Sequence, residues 1–230
     1  MCCAACIASN IQSEISPEIV KILYSKYDKK AISTLPKVQF EGRIIVIQTA
    51  GEADRAAAYL MSFPRLGIDT ETRPNFKPGG MHPVALLQVA TPEACFLFRL
   101  NRFGLTDGLV RLLTSPSVLK VGLSLTDDWA QLRKRKEFKP VNYVELQDYV
   151  KLLGIHDMSL QKLYANFFGQ KISKNQQLTN WEADVLTESQ KCYAATDAWT
   201  CLQLYDIITE LRATHDYQLI EVPEPETLHQ

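Results

Sequence analysis

Three apolar, strand-like segments at 65–71, 84–90 and 95–99 follow one another closely, and after them strand-like and helix-like segments alternate. This order restricts the fold. Strands joined by short turns pair antiparallel, whereas strands separated by a helix pair in parallel through a crossover. A chain that contains both kinds of connection builds a mixed α/β sheet.

The remaining segments fit that frame. Residues 43–48 form a β-branched run, and Thr49-Ala50-Gly51-Glu52 reads as a capping box that opens a helix to about residue 61. Residues 106–114 read as helix, 118–123 as strand, 125–136 as helix and 142–146 as a short strand. Helices are expected near 147–153 and 159–168, then a polar loop over 169–180. Thr187-Glu188-Ser189-Gln190 is a second capping box, and it opens a long helix to about residue 214. The organisation expected is an N-terminal arm over 1–40, one domain over 41–215 and a tail over 216–230. In the arm, Ser16-Pro17-Glu18 predicts a short helix to about residue 26, followed by a polar linker to Pro36. The tail, with Pro223 and Pro225, is expected to fray.

Charge and cysteine usage narrow the function classes. A formal net charge of -1 excludes a grossly basic nucleic-acid binder but leaves room for a nuclease whose metal site is made of carboxylates. Cys95, Cys192 and Cys201 stand singly in apolar segments, the pattern of buried free thiols in a reducing, cytoplasmic compartment. Cys2, Cys3 and Cys6 lack the fourth ligand and the paired spacing of a zinc site. No apolar run approaches the ~20 residues of a membrane span, and the first residues lack the basic start of a signal peptide.

Three segments concentrate acids where apolar residues are expected. In Gly67-Ile68-Asp69-Thr70-Glu71-Thr72, strand periodicity puts Asp69 and Glu71 side by side on one face. Adjacent carboxylates repel unless a cation or a shared proton offsets them, and hard cations such as Mg²⁺ favour oxygen ligands. In Val121-Gly122-Leu123-Ser124-Leu125-Thr126-Asp127-Asp128-Trp129 two aspartates compete. Asp128 shares the apolar face of Leu125, Trp129 and Leu132, while Asp127 lines up with Gln131 and Lys134. In Tyr193-Ala194-Ala195-Thr196-Asp197 the spacing of four puts Tyr193 and Asp197 on one helical face. That face continues through Cys201, Leu204, Ile208 and Leu211, so Asp197 points toward the core and calls for a metal or a basic partner.

Together these motifs resemble the DEDDy class of 3′→5′ exonucleases, related to ribonuclease D and to the Werner syndrome protein, over about residues 43–211. The resemblance implies an RNase H-like mixed sheet of about five strands flanked by helices. It implies two divalent ions, Mg²⁺ or Mn²⁺, held by Asp69, Glu71, Asp128 and Asp197, with Asp69 between both ions. It implies that Tyr193 orients or deprotonates the attacking water. The substrate implied is a DNA or RNA strand with a free 3′ end, and the products are nucleoside 5′-monophosphates. The alternatives are a catalytically inactive nucleic-acid-binding or scaffolding domain of the same fold, and an RNase H-like endonuclease. All four acids and Tyr193 are present, which argues against the first, and the helix-borne Tyr-x-x-x-Asp argues against the second.

Substrate grip is expected from Lys174-Asn175-Gln176-Gln177-Leu178-Thr179-Asn180-Trp181, which resembles the family's Lys/Gln/Trp stretch. There Lys174 would neutralise a phosphate, Gln177 would contact substrate, and Trp181 would stack or pack near the terminal nucleotide. The family often has Arg-Pro-Leu before the last helix. Here Asp184-Val185-Leu186 stands in that place, an anion where a cation is expected. Arg133-Lys134-Arg135-Lys136 reads either as a nucleic-acid patch or as a solvated helix end. His82, His156, His215 and His229 show no paired metal spacing, and His82 is placed in a loop near the first acidic motif.

Overall fold

The computed structural model describes residues 20–76 and 82–223. In chain order the elements are β1 (Lys21–Tyr24), α1 (Lys29–Ile32), β2 (Arg43–Ile47), α2 (Ala50–Leu60), β3 (Arg65–Glu71), β4 (Leu86–Ala90) and β5 (Ala94–Phe98). Then come α3 (Leu100–Phe103), α4 (Asp107–Leu113), β6 (Leu119–Gly122), α5 (Leu125–Arg133), β7 (Tyr143–Glu145) and α6 (Leu146–Tyr149). A 3₁₀ turn (Val150–Leu153), α7 (Leu160–Phe168), α8 (Glu188–Thr214) and β8 (Tyr217–Ile220) complete the chain.

The closely spaced strands β3, β4 and β5 form an antiparallel meander, and every other pairing in this sheet is parallel. The order is β2-β5-β4-β3-β6-β7, with β4 alone running against the rest. The sheet has six strands rather than the about five that the resemblance implies, one for each strand-like segment read over 43–146, with the short 142–146 segment as the edge strand β7. Both faces are covered, so β4 reads as a run of buried residues. Leu87 and Val89 pack with Leu109, Leu112 and Trp129 on one side. Leu86 and Ala90 pack with Ala194, Ala195 and Ala198 of α8 on the other.

Both capping boxes form. The Thr49 side chain accepts from the Glu52 amide and Glu52 reaches back to the Thr49 amide, and Thr187 and Gln190 do the same for α8. Among the described residues no helix is long and apolar enough to cross a membrane.

The two ends differ from expectation. Lys21–Tyr24 is a strand, not the end of a helix, and it pairs in parallel with β8 from the tail expected to fray. The alternation explains it: Leu23 is wholly buried while Ile22 and Tyr24 face outward, a period of two rather than 3.6. The expected linker holds the short helix α1, whose N-cap Asp28 accepts from the Lys30 amide at 2.9 Å. Asn166 fastens this edge, accepting from the Tyr24 amide at 3.0 Å and donating to the Tyr24 carbonyl at 2.7 Å. Ser16-Pro17-Glu18 and Cys2, Cys3 and Cys6 lie outside the described residues.

Cys95 and Cys201 are buried free thiols, as read; Cys192 is only half-buried.

Candidate active site

Two close backbone approaches bring the acidic segments together. Gly67 in β3 lies against α8, and a Cβ there would stand 2.0 Å from the Ala198 carbonyl oxygen. The absent side chain lets α8 settle onto β3, with Asp197 beside Asp69. At the end of β6, a Cβ on Gly122 would meet the Ile68 carbonyl oxygen at 2.6 Å and Leu125 at 2.5 Å. That space lets the chain turn directly into α5, the helix that carries Asp128.

Asp69, Glu71, Asp128, Tyr193 and Asp197 line one cleft of about 300 Å³, with Lys174 and Gln177 on its loop side. Oxygens of Asp69, Glu71 and Asp197 all lie within 4.8 Å of one another. Asp128 stands outside this trio and accepts a 2.5 Å hydrogen bond from the Thr70 hydroxyl. Thr70 lines the same cleft, a role that strand periodicity hides because it assigns Thr70 to the face opposite Asp69 and Glu71. Asp127 is exposed on the polar side of α5, so the structure brings Asp128, not Asp127, into the cluster.

The acids press on one another. Burial, then the charges of Asp197, Asp128 and Glu71, hold the Asp69 carboxyl well above its usual range. Burial, then Asp197 and Asp128, push Glu71 up to about 9. Burial raises Asp128 to about 7, against the lowering effect of the Thr70 hydroxyl. Burial also raises Asp197 to about 7, with the Tyr193 hydroxyl and the Lys174 ammonium acting the other way. Burial and the neighbouring acids raise the Tyr193 phenol, so it keeps its proton.

The donor set fits a divalent cation. Oδ1 of Asp197 is buried without a hydrogen-bond partner, and hard oxygen donors at this spacing suit Mg²⁺ or Mn²⁺. Without a cation, protons take over the role. Because these pKa values lie above their unfolded values, the folded chain binds more protons than the unfolded one. The stability so gained is complete below about pH 4 and is lost as pH rises through about 7 for Asp128 and Asp197 and about 9 for Glu71. The Tm in EDTA should therefore be lower at pH 9 than at pH 5. Scanning calorimetry at the two pH values checks this, and an unchanged Tm refutes it.

Of the expected substrate contacts, Lys174 and Gln177 are exposed on the cleft and Trp181 is not. Trp181 is wholly buried with Phe40, Leu86 and Ala195, and its ring centroid lies 6.0 Å from that of Tyr193. It supports Tyr193 from behind, and no face is open for a nucleotide to stack on. Asp184, the anion in place of the expected cation, pairs with Arg102 at 3.0 Å. The neighbouring Arg99 is buried and donates to the Ala183 and Asp184 carbonyls, which fixes the approach to α8.

The basic run at the end of α5 is largely engaged within the protein. Arg135 donates to the Val84 carbonyl at 2.7 Å and Lys136 pairs with Asp107 at 2.5 Å. His82 and Arg73 line a groove that shares Thr70, Glu71, Asp128 and Gln177 with the cleft. Both sit beside Glu182, at 3.6 and 3.2 Å.

A family profile described as 3′-5′ exonuclease matches residues 44–212. The chain belongs to this 3′-5′ exonuclease family. The matched span agrees with the 43–211 over which the three motifs resemble the DEDDy class, and the resemblance is borne out. The chain is 31% identical over 190 residues to the bifunctional 3′-5′ exonuclease/ATP-dependent helicase WRN of Mus musculus, over 78% of the chain and 14% of that protein. It is 27% identical over 192 residues to a 3′-5′ exonuclease of Arabidopsis thaliana, over 76% of the chain and 67% of that protein. The Nibbler EXO domain of Aedes aegypti superposes with a TM-score of 0.67 at 22% identity, covering 76% of this chain and 90% of that one. That likeness carries the RNase H-like fold. The chain thus spans a small part of the mouse relative and two thirds of the plant one.

Proposed function

We propose that this chain hydrolyses the terminal phosphodiester of a DNA or RNA strand from its free 3′ end and releases nucleoside 5′-monophosphates. The observation that carries the reading is the trio Asp69, Glu71 and Asp197, gathered within 4.8 Å with an orphaned oxygen on Asp197. Membership in the 3′-5′ exonuclease family supports the direction of attack.

Two divalent ions, Mg²⁺ or Mn²⁺, supply charge stabilisation at phosphorus, an activated water and a stabilised leaving oxygen when bound in such a site. Asp69 would serve both ions, Glu71 and Asp197 would hold one, and Asp128 would support the other. The Thr70 hydroxyl orients the Asp128 carboxylate. Tyr193, on the cleft beside Asp197, would orient or deprotonate the attacking water. Lys174 stands at the cleft to meet a phosphate and Gln177 to hydrogen-bond the strand. Trp181 keeps the Tyr193 ring in place.

Hydrolysis of an end-labelled strand tests the proposal. Mononucleotides should appear with Mg²⁺ or Mn²⁺, cease with EDTA, and be absent from closed circular single strands. EDTA-resistant release would defeat the metal assignment, and cutting of circles would favour an endonuclease.

A further inference from the structure

Asp128 sits one turn into α5, and its orientation depends on how that helix starts. The start is unusual. The N-cap residue Ser124 has φ 64 and ψ 28, a left-handed conformation uncommon for a residue with a side chain, and its hydroxyl makes no capping hydrogen bond. The cap comes from another strand. The carboxylate of Glu145, at the end of β7, accepts from the Ser124 amide at 2.9 Å and from the Leu125 amide at 2.6 Å. One oxygen also accepts from the Gln147 amide at 3.1 Å, and the Gln147 side chain donates to the Ser124 hydroxyl at 3.0 Å. The Ser124 carbonyl in turn accepts from the Asp127 amide at 3.1 Å and, at 3.4 Å, from that of Asp128. Glu145 lies opposite Gly122 in the β6–β7 register, so the sheet fixes where its carboxylate stands.

From this chain of contacts we infer that Glu145 is a positioning residue. By holding the Ser124 and Leu125 amides it fixes the left-handed turn, and through that turn it aims Asp128 at the metal cleft. The inference rests on the reading that Asp128 supports a divalent ion. Glu145 itself is outside the cleft lining, one layer behind Ser124. A carboxylate at this place does two things that a neutral side chain does not: it satisfies two orphan amides with ionic hydrogen bonds, and it complements the positive end of the helix. Yet it also sets a negative charge close behind Asp128, a site that stability alone would not favour.

A double-mutant cycle read by Mn²⁺ titration calorimetry separates positioning from scaffolding. Outer-layer partners of metal ligands typically contribute ~10–100-fold in metal affinity. Glu145→Ala should weaken Mn²⁺ binding by about that factor, and Glu145→Gln, which retains one acceptor oxygen and the side-chain volume, by a smaller one. In an Asp128→Asn background, Glu145→Ala should change Mn²⁺ affinity less than about twofold, because the group through which it acts is already gone. The same fold loss in both backgrounds overturns the inference. So does a lowered Tm with Mn²⁺ affinity unchanged in both Glu145 variants, which is the signature of a merely structural cap. If Asp128→Asn alone leaves Mn²⁺ binding untouched, the metal role of Asp128 fails and takes the inference with it. If Asp128→Asn weakens binding and the Glu145 variants do not, the metal reading stands and only the positioning role falls.

Discussion

Asp128→Asn should slow hydrolysis by at least about 10³-fold, while Asp127→Asn should keep most of the activity. A cation at a phosphoryl-transfer site supplies several kcal/mol of transition-state stabilisation. At ~1.4 kcal/mol per decade, losing one ion's support corresponds to about three decades or more. An asparagine at 128 still accepts from the Thr70 hydroxyl that now holds Asp128 at 2.5 Å, so the side chain stays in place and only its charge is removed. Asp127 stands exposed on the solvent side of the same helix turn. Its loss removes a dipole interaction of ~0.3–1 kcal/mol and a charge that acts on Asp128 from outside the cleft lining. Stability separates chemistry from misfolding. Asp128 is one of the acids whose pKa is raised by burial, so in EDTA near neutral pH the neutral Asn variant should melt at or above the wild-type temperature. Single-turnover hydrolysis in Mn²⁺ together with thermal melts checks both parts. Equal loss of rate in the two variants at unchanged Tm would refute the assignment.

The discrimination between these two adjacent aspartates is legible in the sequence, because it needs only the helical period. Asp128 shares its face with Leu125, Trp129 and Leu132, which are buried. The strand pair Asp69 and Glu71, the face shared by Tyr193 and Asp197, and both capping boxes were legible for the same reason: each is a local period or a local hydrogen-bond pattern. What escaped depends on partners distant in the chain. Lys21–Tyr24 pairs with Tyr217–Ile220, and no local pattern in either segment announces the other. The Ser16-Pro17-Glu18 signal pointed to a helix there, but the alternation around Leu23 prevailed over the described part of it. Trp181 in its polar loop reads either as a stacking or as a packing residue; only the packing of Phe40 and α8 around it decides for the core. Asp184 reads as a lost cation until Arg102, far back in the chain, is seen beside it. Ser124 adopts a conformation that its residue type does not suggest, held by Glu145 on a neighbouring strand.

Tyr193→Phe should reduce the rate by about 10²–10⁴-fold, the usual contribution of a positioned acid–base or water-orienting group, and leave metal and nucleic-acid binding almost unchanged. The ring is packed against Trp181, with centroids 6.0 Å apart, and that contact survives removal of the hydroxyl. The hydroxyl itself stands beside Asp197, and burial, then the charges of the acids, raise its pKa when no metal is bound. Phe therefore removes one polar group from the reacting edge without emptying space. Asp197→Asn on the same helical face should behave differently. Its carboxylate belongs to the trio within 4.8 Å, so its neutralisation should weaken Mn²⁺ binding as well as turnover. The two variants thus separate on two axes: Tyr193→Phe loses rate at constant Mn²⁺ affinity, and Asp197→Asn loses both. Asp197→Asn should not fall in Tm when metal-free, since it removes a carboxylate that burial opposes. Single-turnover hydrolysis, Mn²⁺ calorimetry and thermal melts on the same preparations give all three readings. If Tyr193→Phe hydrolyses at the wild-type rate in a chemistry-limited assay, the phenol is a packing group, and the water must be positioned by the carboxylates alone.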